Sequence, residues 1–245
     1  MEQLEAFARW IDKQIPAGYW HDKIYSYCER GGDGGFWAEP FNAWSNGAFH
    51  LASLAALVLW LTHPRSNRGV FELFLIVLVF VIGTGSFLFH TLAMRWAAIA
   101  DVAPIGLFMV LYVGYALRRL AGFNWLVTLV GLGIFVAVLW QAGQMRCGGT
   151  LCLRGSVAYL PALGALVIMG LGLAIFQRPG WVYILVGALV FALSLTLRTY
   201  DRPWCPQTAF YDYGPIGTHY WWHILNALLL YLLLRAGILH GRARR

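Results

Sequence analysis

Seven stretches of this chain run for about 20 mostly apolar residues, the length an α-helix needs to cross a bilayer's hydrocarbon core. They are Asn42–Thr62, Val70–His90, Ala97–Arg118, Asn124–Gly143, Gly155–Phe176, Gly180–Leu197 and Thr218–Leu239. Breakers and charges separate them, as in His63-Pro64-Arg65, Arg118-Arg119 and Arg178-Pro179-Gly180. Composition agrees, because 60% of the 245 residues are hydrophobic and only 12% are charged, against about half and a quarter in soluble chains. So few charges cannot cover a water-facing surface of this size. The formal charge of +7 comes from scattered basic residues with no aromatic-interleaved stripe, so a nucleic-acid partner is not expected. The expected fold class is all-α: a seven-transmembrane helical bundle in an integral, multi-pass membrane protein.

Three regions follow from this reading. Residues 1–41 form an amino-terminal region, 42–239 the bundle, and 240–245 a basic tail. Leu4, Phe7, Ala8, Ile11 and Ile15 recur at helical spacing among acids, which predicts a short amphipathic surface helix rather than a signal peptide. Lys and Arg divide evenly between the two sides. On the side holding the tail they sit in short loops with Glu72 as the one acid, so that side is expected to be cytoplasmic. All four cysteines (Cys28, Cys147, Cys152, Cys205) fall on the amino-terminal side, consistent with an oxidising external or lumenal compartment. The simplest pairing joins Cys147 to Cys152 and Cys28 to Cys205, although the sequence leaves three pairings open. A bacterial inner membrane is the simplest location, with endoplasmic reticulum or Golgi as the alternative.

Ionisable side chains are costly in hydrocarbon and usually mark sites. Span two ends with Ser86 and His90, one turn apart on a shared face. Span three opens with Asp101, and span seven with His219 and His223. Alternating topology brings these residues to one depth, although more than a hundred positions separate them. Three histidines and an open position form the ligand count of a catalytic zinc site. Asp101 would serve as the acid–base group, and Ser86 as a hydrogen-bond donor to an oxyanion. His50, mid-span, reads as an interhelical hydrogen bond.

Ser86-x3-His90, then Asp101, then His219-x3-His223 across seven spans resembles the alkaline ceramidase family. That family belongs to a wider group of membrane hydrolases that includes adiponectin-receptor-like proteins. Ala38-Glu39-Pro40-Phe41-Asn42-Ala43-Trp44-Ser45-Asn46 is similar to its A-E-x-x-N-x-x-S-N segment, and Cys28-Glu29 to its D-W-C-E element. The resemblance implies zinc on His90, His219 and His223, with Asp101 as base for water and Ser86 as auxiliary catalytic group. It also implies a bridge from Cys28 to Cys205, and a calcium site in which Glu29 and Glu39 match two acids. There the sequence departs, with Ser26 for an aspartate, Gly31 for an asparagine and a shorter Glu29-to-Glu39 interval. Asp33 would supply a replacement oxygen.

The function expected from this reading is hydrolysis of the amide bond of ceramide, or of a related N-acyl amine lipid, to a fatty acid and an amine. Two alternatives belong to other classes. One is an adiponectin- or progestin-type receptor with the same zinc core, and the other is a haem or proton-carrying membrane protein.

Overall fold

A computed structural model describes residues 18–64, 68–145 and 149–241. Among these there is no β-strand, only two isolated bridges. The expected amphipathic helix of residues 1–16 lies outside the described residues, as do Cys147 and positions 242–245 of the tail. Seven helices are long and apolar enough to cross a membrane, and they carry the seven expected spans. They are α1 (Pro40–Thr62), α2 (Val70–Leu92), α3 (Arg95–Leu120), α4 (Trp125–Gln144), α5 (Leu160–Ile175), α6 (Trp181–Tyr200) and α7 (His219–His240). Large apolar side chains such as Leu51, Leu126, Ile168 and Leu189 are exposed on the outer faces, as a lipid-facing surface requires. The chain is a multi-pass integral membrane protein.

Local chemistry sets several of the ends. Pro40 stands at the start of α1, where its missing N–H costs nothing and its fixed φ suits the first turn. Asn124 caps α4 by accepting from Val127 N at 2.9 Å. The sequence places the start of the fifth span at Gly155, but α5 begins at Leu160. Leu153, Arg154 and Gly155 adopt left-handed backbone (φ 47°, 51° and 87°), and a 3₁₀ segment, Gly149–Tyr159, leads into the helix.

Helix α7 is the most enclosed helix. It packs on α6, α1 and α2, and α2 in turn packs on α3. The α2–α3 contact depends on Gly85. A Cβ there would lie 2.0 Å from the carbonyl oxygen of Ala100, so only glycine lets the two backbones approach this closely. Pro104, one turn along α3, leaves that same carbonyl without its helical N–H donor. On the adjacent face, His50 Nε2 meets Thr84 Oγ1 at 3.1 Å between α1 and α2, the expected interhelical bond.

At the end of the bundle where α2 stops and α3 and α7 begin, the segment before α1 folds over the mouth. Cys28 is bridged to Cys205 across 177 positions. Asp201 reinforces the closure, accepting from the backbone N–H groups of Cys28 (2.9 Å), Thr218 (2.8 Å) and His219 (2.9 Å). One carboxylate thus ties the covering segment to the first turn of α7, where a negative charge is favourable. Gly217 makes room for it. Its φ is +68°, and a Cβ there would sit 2.2 Å from Asp201 Oδ1 and 2.8 Å from Cys28 Cβ.

Candidate metal centre

His90 closes α2, while His219 and His223 stand one turn apart at the start of α7. All three are buried, and each offers one ligand atom within 4.8 Å of the others. Their ring centroids are 4.7 to 5.2 Å apart. His90 Nε2, His219 Nδ1 and His223 Nε2 are buried without a hydrogen-bond partner. A buried unpartnered polar atom ordinarily costs about 1–3 kcal/mol. Three such atoms converging on one point have the geometry and donor chemistry of a metal ligand set. The residues present therefore fit a metal ion.

The outer nitrogens explain why the inner ones are bare. His90 Nδ1 donates to Glu39 Oε2 at 2.5 Å. His223 Nδ1 donates to Ser45 Oγ at 2.7 Å, and Ser45 Oγ donates to Asn42 O at 2.9 Å. Each bond places the proton on Nδ1 and leaves the Nε2 lone pair facing inward, as in histidines that carry a metal. Tyr27 stacks on His219 with ring centroids 3.6 Å apart and holds that ring flat.

Glu39 is held by a second partner. The guanidinium of Arg30 is ion-paired with its Oε1, and both side chains are buried. Arg30 also donates to the carbonyls of Gly35 (2.9 Å) and His90 (2.7 Å), with longer bonds to Asp33 (3.3 Å) and Thr91 (3.4 Å). Burial alone would raise the Glu39 carboxyl, but the hydrogen bonds from His90 and Arg30 and the charge of Arg30 outweigh it and hold the group below its ordinary value.

Glu29, Asp33 and Glu39, the residues expected for calcium, each have other partners in the fold. Among the described residues only the three histidines form a group able to hold a metal ion. Glu29 faces the backbone N–H groups of Phe41 (2.7 Å) and Asn42 (2.8 Å). Asp33 turns onto Gly35 N at 2.8 Å. The positive charge beside Glu39 is Arg30. Glu29 is pushed up to about 7, chiefly by burial and against the two backbone N–H bonds. Burial likewise raises Asp201 despite its three N–H donors.

Asp101 and Ser86 meet as the spacing suggests. Both are buried, and they lie close enough for the Ser86 hydroxyl to act on the Asp101 carboxyl. The Gly85–Ala100 contact brings them together, since each lies one residue beyond it.

Sequence reasoning missed Arg30, Ser45, Tyr27, Arg198 and Asp201. Arg198 of α6 donates to Ser156 Oγ at 2.9 Å and lies near the Tyr27 phenol. Its guanidinium lies 5.3 Å from the ring of Tyr159 and 5.4 Å from that of Trp222. Arg198 falls one residue past the sixth span as the sequence delimits it, so it read as a loop charge, whereas the helix runs on to Tyr200 and carries it inward.

Below the histidines lies an apolar cavity lined by Phe49, Phe108, Leu166, Phe191, Tyr159 and Trp222, among others. It is narrow, about 60 Å³, so an acyl chain would enter only as these side chains part. The chain matches no known family model and no curated protein.

Proposed function

We propose that this chain is an intramembrane zinc-dependent hydrolase that cleaves the amide bond of an N-acylated lipid, ceramide or a close relative, in the manner of the alkaline ceramidases it resembles. The observation that carries the reading is the convergence of three unpartnered imidazole nitrogens beside a Ser86–Asp101 pair. His90, His219 and His223 would hold the ion. Zinc bound there supplies Lewis acidity, which makes an amide carbonyl more electrophilic and a water molecule more acidic. Asp101 accepts the proton of the attacking water and returns it to the leaving nitrogen. Ser86, next to it, is the auxiliary hydrogen-bond donor. The apolar cavity that reaches the histidines at Phe49 and Trp222 supports an acyl chain as the group on the carbonyl side.

The haem alternative fits poorly. Three imidazole nitrogens grouped within 4.8 Å, two of them from one turn of a helix, suit a small ion better than a haem iron, which takes two axial protein ligands at most. The test is metal content by elemental mass spectrometry on detergent-purified protein, paired with hydrolysis of short-chain fluorescent N-acyl lipids. The expected result is about one zinc per chain, lost in His219→Ala/His223→Ala together with turnover. Folded, carefully purified protein with neither zinc nor zinc-restored turnover overturns the proposal.

A further inference from the structure

A second cavity, of about 400 Å³, is walled in part by Tyr27, whose ring stacks on His219. Its wall includes Tyr25, Tyr27, Arg154, Arg198, Asp201 and Arg202. Arg198 and Arg202 are one turn apart and share a face, and Arg154 comes from the left-handed turn before α5. Three guanidinium groups thus face one space. The single carboxylate in the wall, Asp201, is consumed by the N–H groups of Cys28, Thr218 and His219. None of the three arginines has an ion pair among the described residues. Arg202 is anchored through Nε on Ser26 O (2.8 Å) and through one terminal nitrogen on Tyr25 O (2.7 Å). Arg198 is held by Ser156 and by the rings of Tyr159 and Trp222. Arg198 and Arg202 are therefore held in place, Arg154 stands exposed beside them, and the one further acid acting on Arg198 is the buried Asp101; each guanidinium fork suits a phosphate or carboxylate.

The position of the cavity matters as much as its charge. Tyr159 and Trp222 line the apolar cavity, while Arg198 lies over both rings. Arg198 therefore marks the boundary between the two spaces. The basic cavity meets the histidines at Tyr27, and the apolar cavity meets them at Phe49 and Trp222. An amphiphile spanning both would present its middle to the metal centre.

We propose that the arginine-lined cavity is a subsite for an anionic head group, a phosphate or carboxylate, on the amine side of the lipid. This names the substrate class of the proposed hydrolase, and for turnover it rests on that reading. For binding it does not.

The test titrates dodecyl phosphate and inorganic phosphate separately into detergent-purified full-length protein and follows the melting temperature. Dodecyl phosphate is expected to raise it more than inorganic phosphate does. The effect should shrink in the exposed-residue variant Arg154→Gln, vanish in Arg154→Gln/Arg198→Gln, and survive in the charge-retaining Arg198→Lys. Absence of stabilisation in the wild type, or equal stabilisation in wild type and Arg154→Gln, overturns the subsite. Inorganic phosphate matching dodecyl phosphate overturns the lipid head group in favour of a free anion. In a parallel arm, kcat/KM for an N-acyl lipid bearing a phosphate, relative to its neutral counterpart, should fall about ten-fold in Arg154→Gln, as loss of a charge-assisted contact predicts. Binding without hydrolysis of any N-acyl lipid would sink the hydrolase and keep the subsite. Hydrolysis without anion binding would do the reverse.

Discussion

Glu39 accepts a 2.5 Å hydrogen bond from Nδ1 of His90, 51 positions away in the chain. Carboxylates behind a ligating histidine fix its tautomer and raise its basicity, and their loss typically costs 10–100-fold in metal affinity. Glu39→Gln is therefore expected to weaken zinc retention by roughly that factor while His90 itself stays in place. Competition with a graded series of chelators would measure it, and unchanged affinity would detach Glu39 from the metal centre.

Removal of Arg30 should act on stability more than Glu39→Gln does. Truncating one partner of a buried ion pair leaves an uncompensated charge, at about 3–5 kcal/mol. Arg30→Ala should lower the melting temperature sharply. Arg30→Lys should restore part of it, because an ammonium keeps the charge but cannot reach the Gly35 and His90 carbonyls together. Equal melting of all three proteins would contradict this account.

Asp101→Asn separates chemistry from metal binding. Zinc content should remain at the wild-type level while turnover drops by at least about 10²-fold, the usual scale for a lost acid–base group. Retained turnover would remove Asp101 from the mechanism.

Gly85→Ala should push α2 away from α3, since its Cβ would meet the Ala100 carbonyl at 2.0 Å. The expected results are a lower melting temperature and weaker activity from a disturbed Ser86–Asp101 pair. Gly106→Ala in α3 is the matched control, because nothing lies within 4 Å of its Cβ. That variant should melt at or slightly above the wild-type temperature.

Stability should depend on pH through Glu29. Folded, this group holds its proton up to about 7, whereas its ordinary value is 4.5. Between these values the folded protein binds more protons than the unfolded chain, so stability falls as pH rises across the window and levels off above it. Glu29→Gln should flatten that part of the melting profile. A slope identical to the wild type would assign the titration to another group.

The helices and the three histidines were legible because each rests on a short-range signal. Apolar runs of bilayer length define α1 to α7, and i, i+4 spacing pairs His219 with His223. Alternating topology then supplied the common depth of His90. The Cys28–Cys205 bridge was one of three open pairings until the fold placed the two residues together. Cys147, the other half of the second expected pair, falls outside the described residues. Arg30 was unreadable for a different reason. Beside Glu29 and Asp33 in a glycine-rich loop it looked like a solvated charge, and only the fold shows it turned inward onto Glu39 and the end of α2. Asp201 and Arg198 escaped likewise, because their partners lie on segments far away in sequence.

Arg30 has a consequence for how this centre meets its surroundings. A dissociable ion is shared with every other chelating group nearby, so its occupancy rises and falls with the medium. A guanidinium fused to the backbone is present once per molecule in any buffer and after any dialysis. The clamp behind His90 should therefore be indifferent to calcium and to its chelators, and it changes only when the codon for residue 30 does.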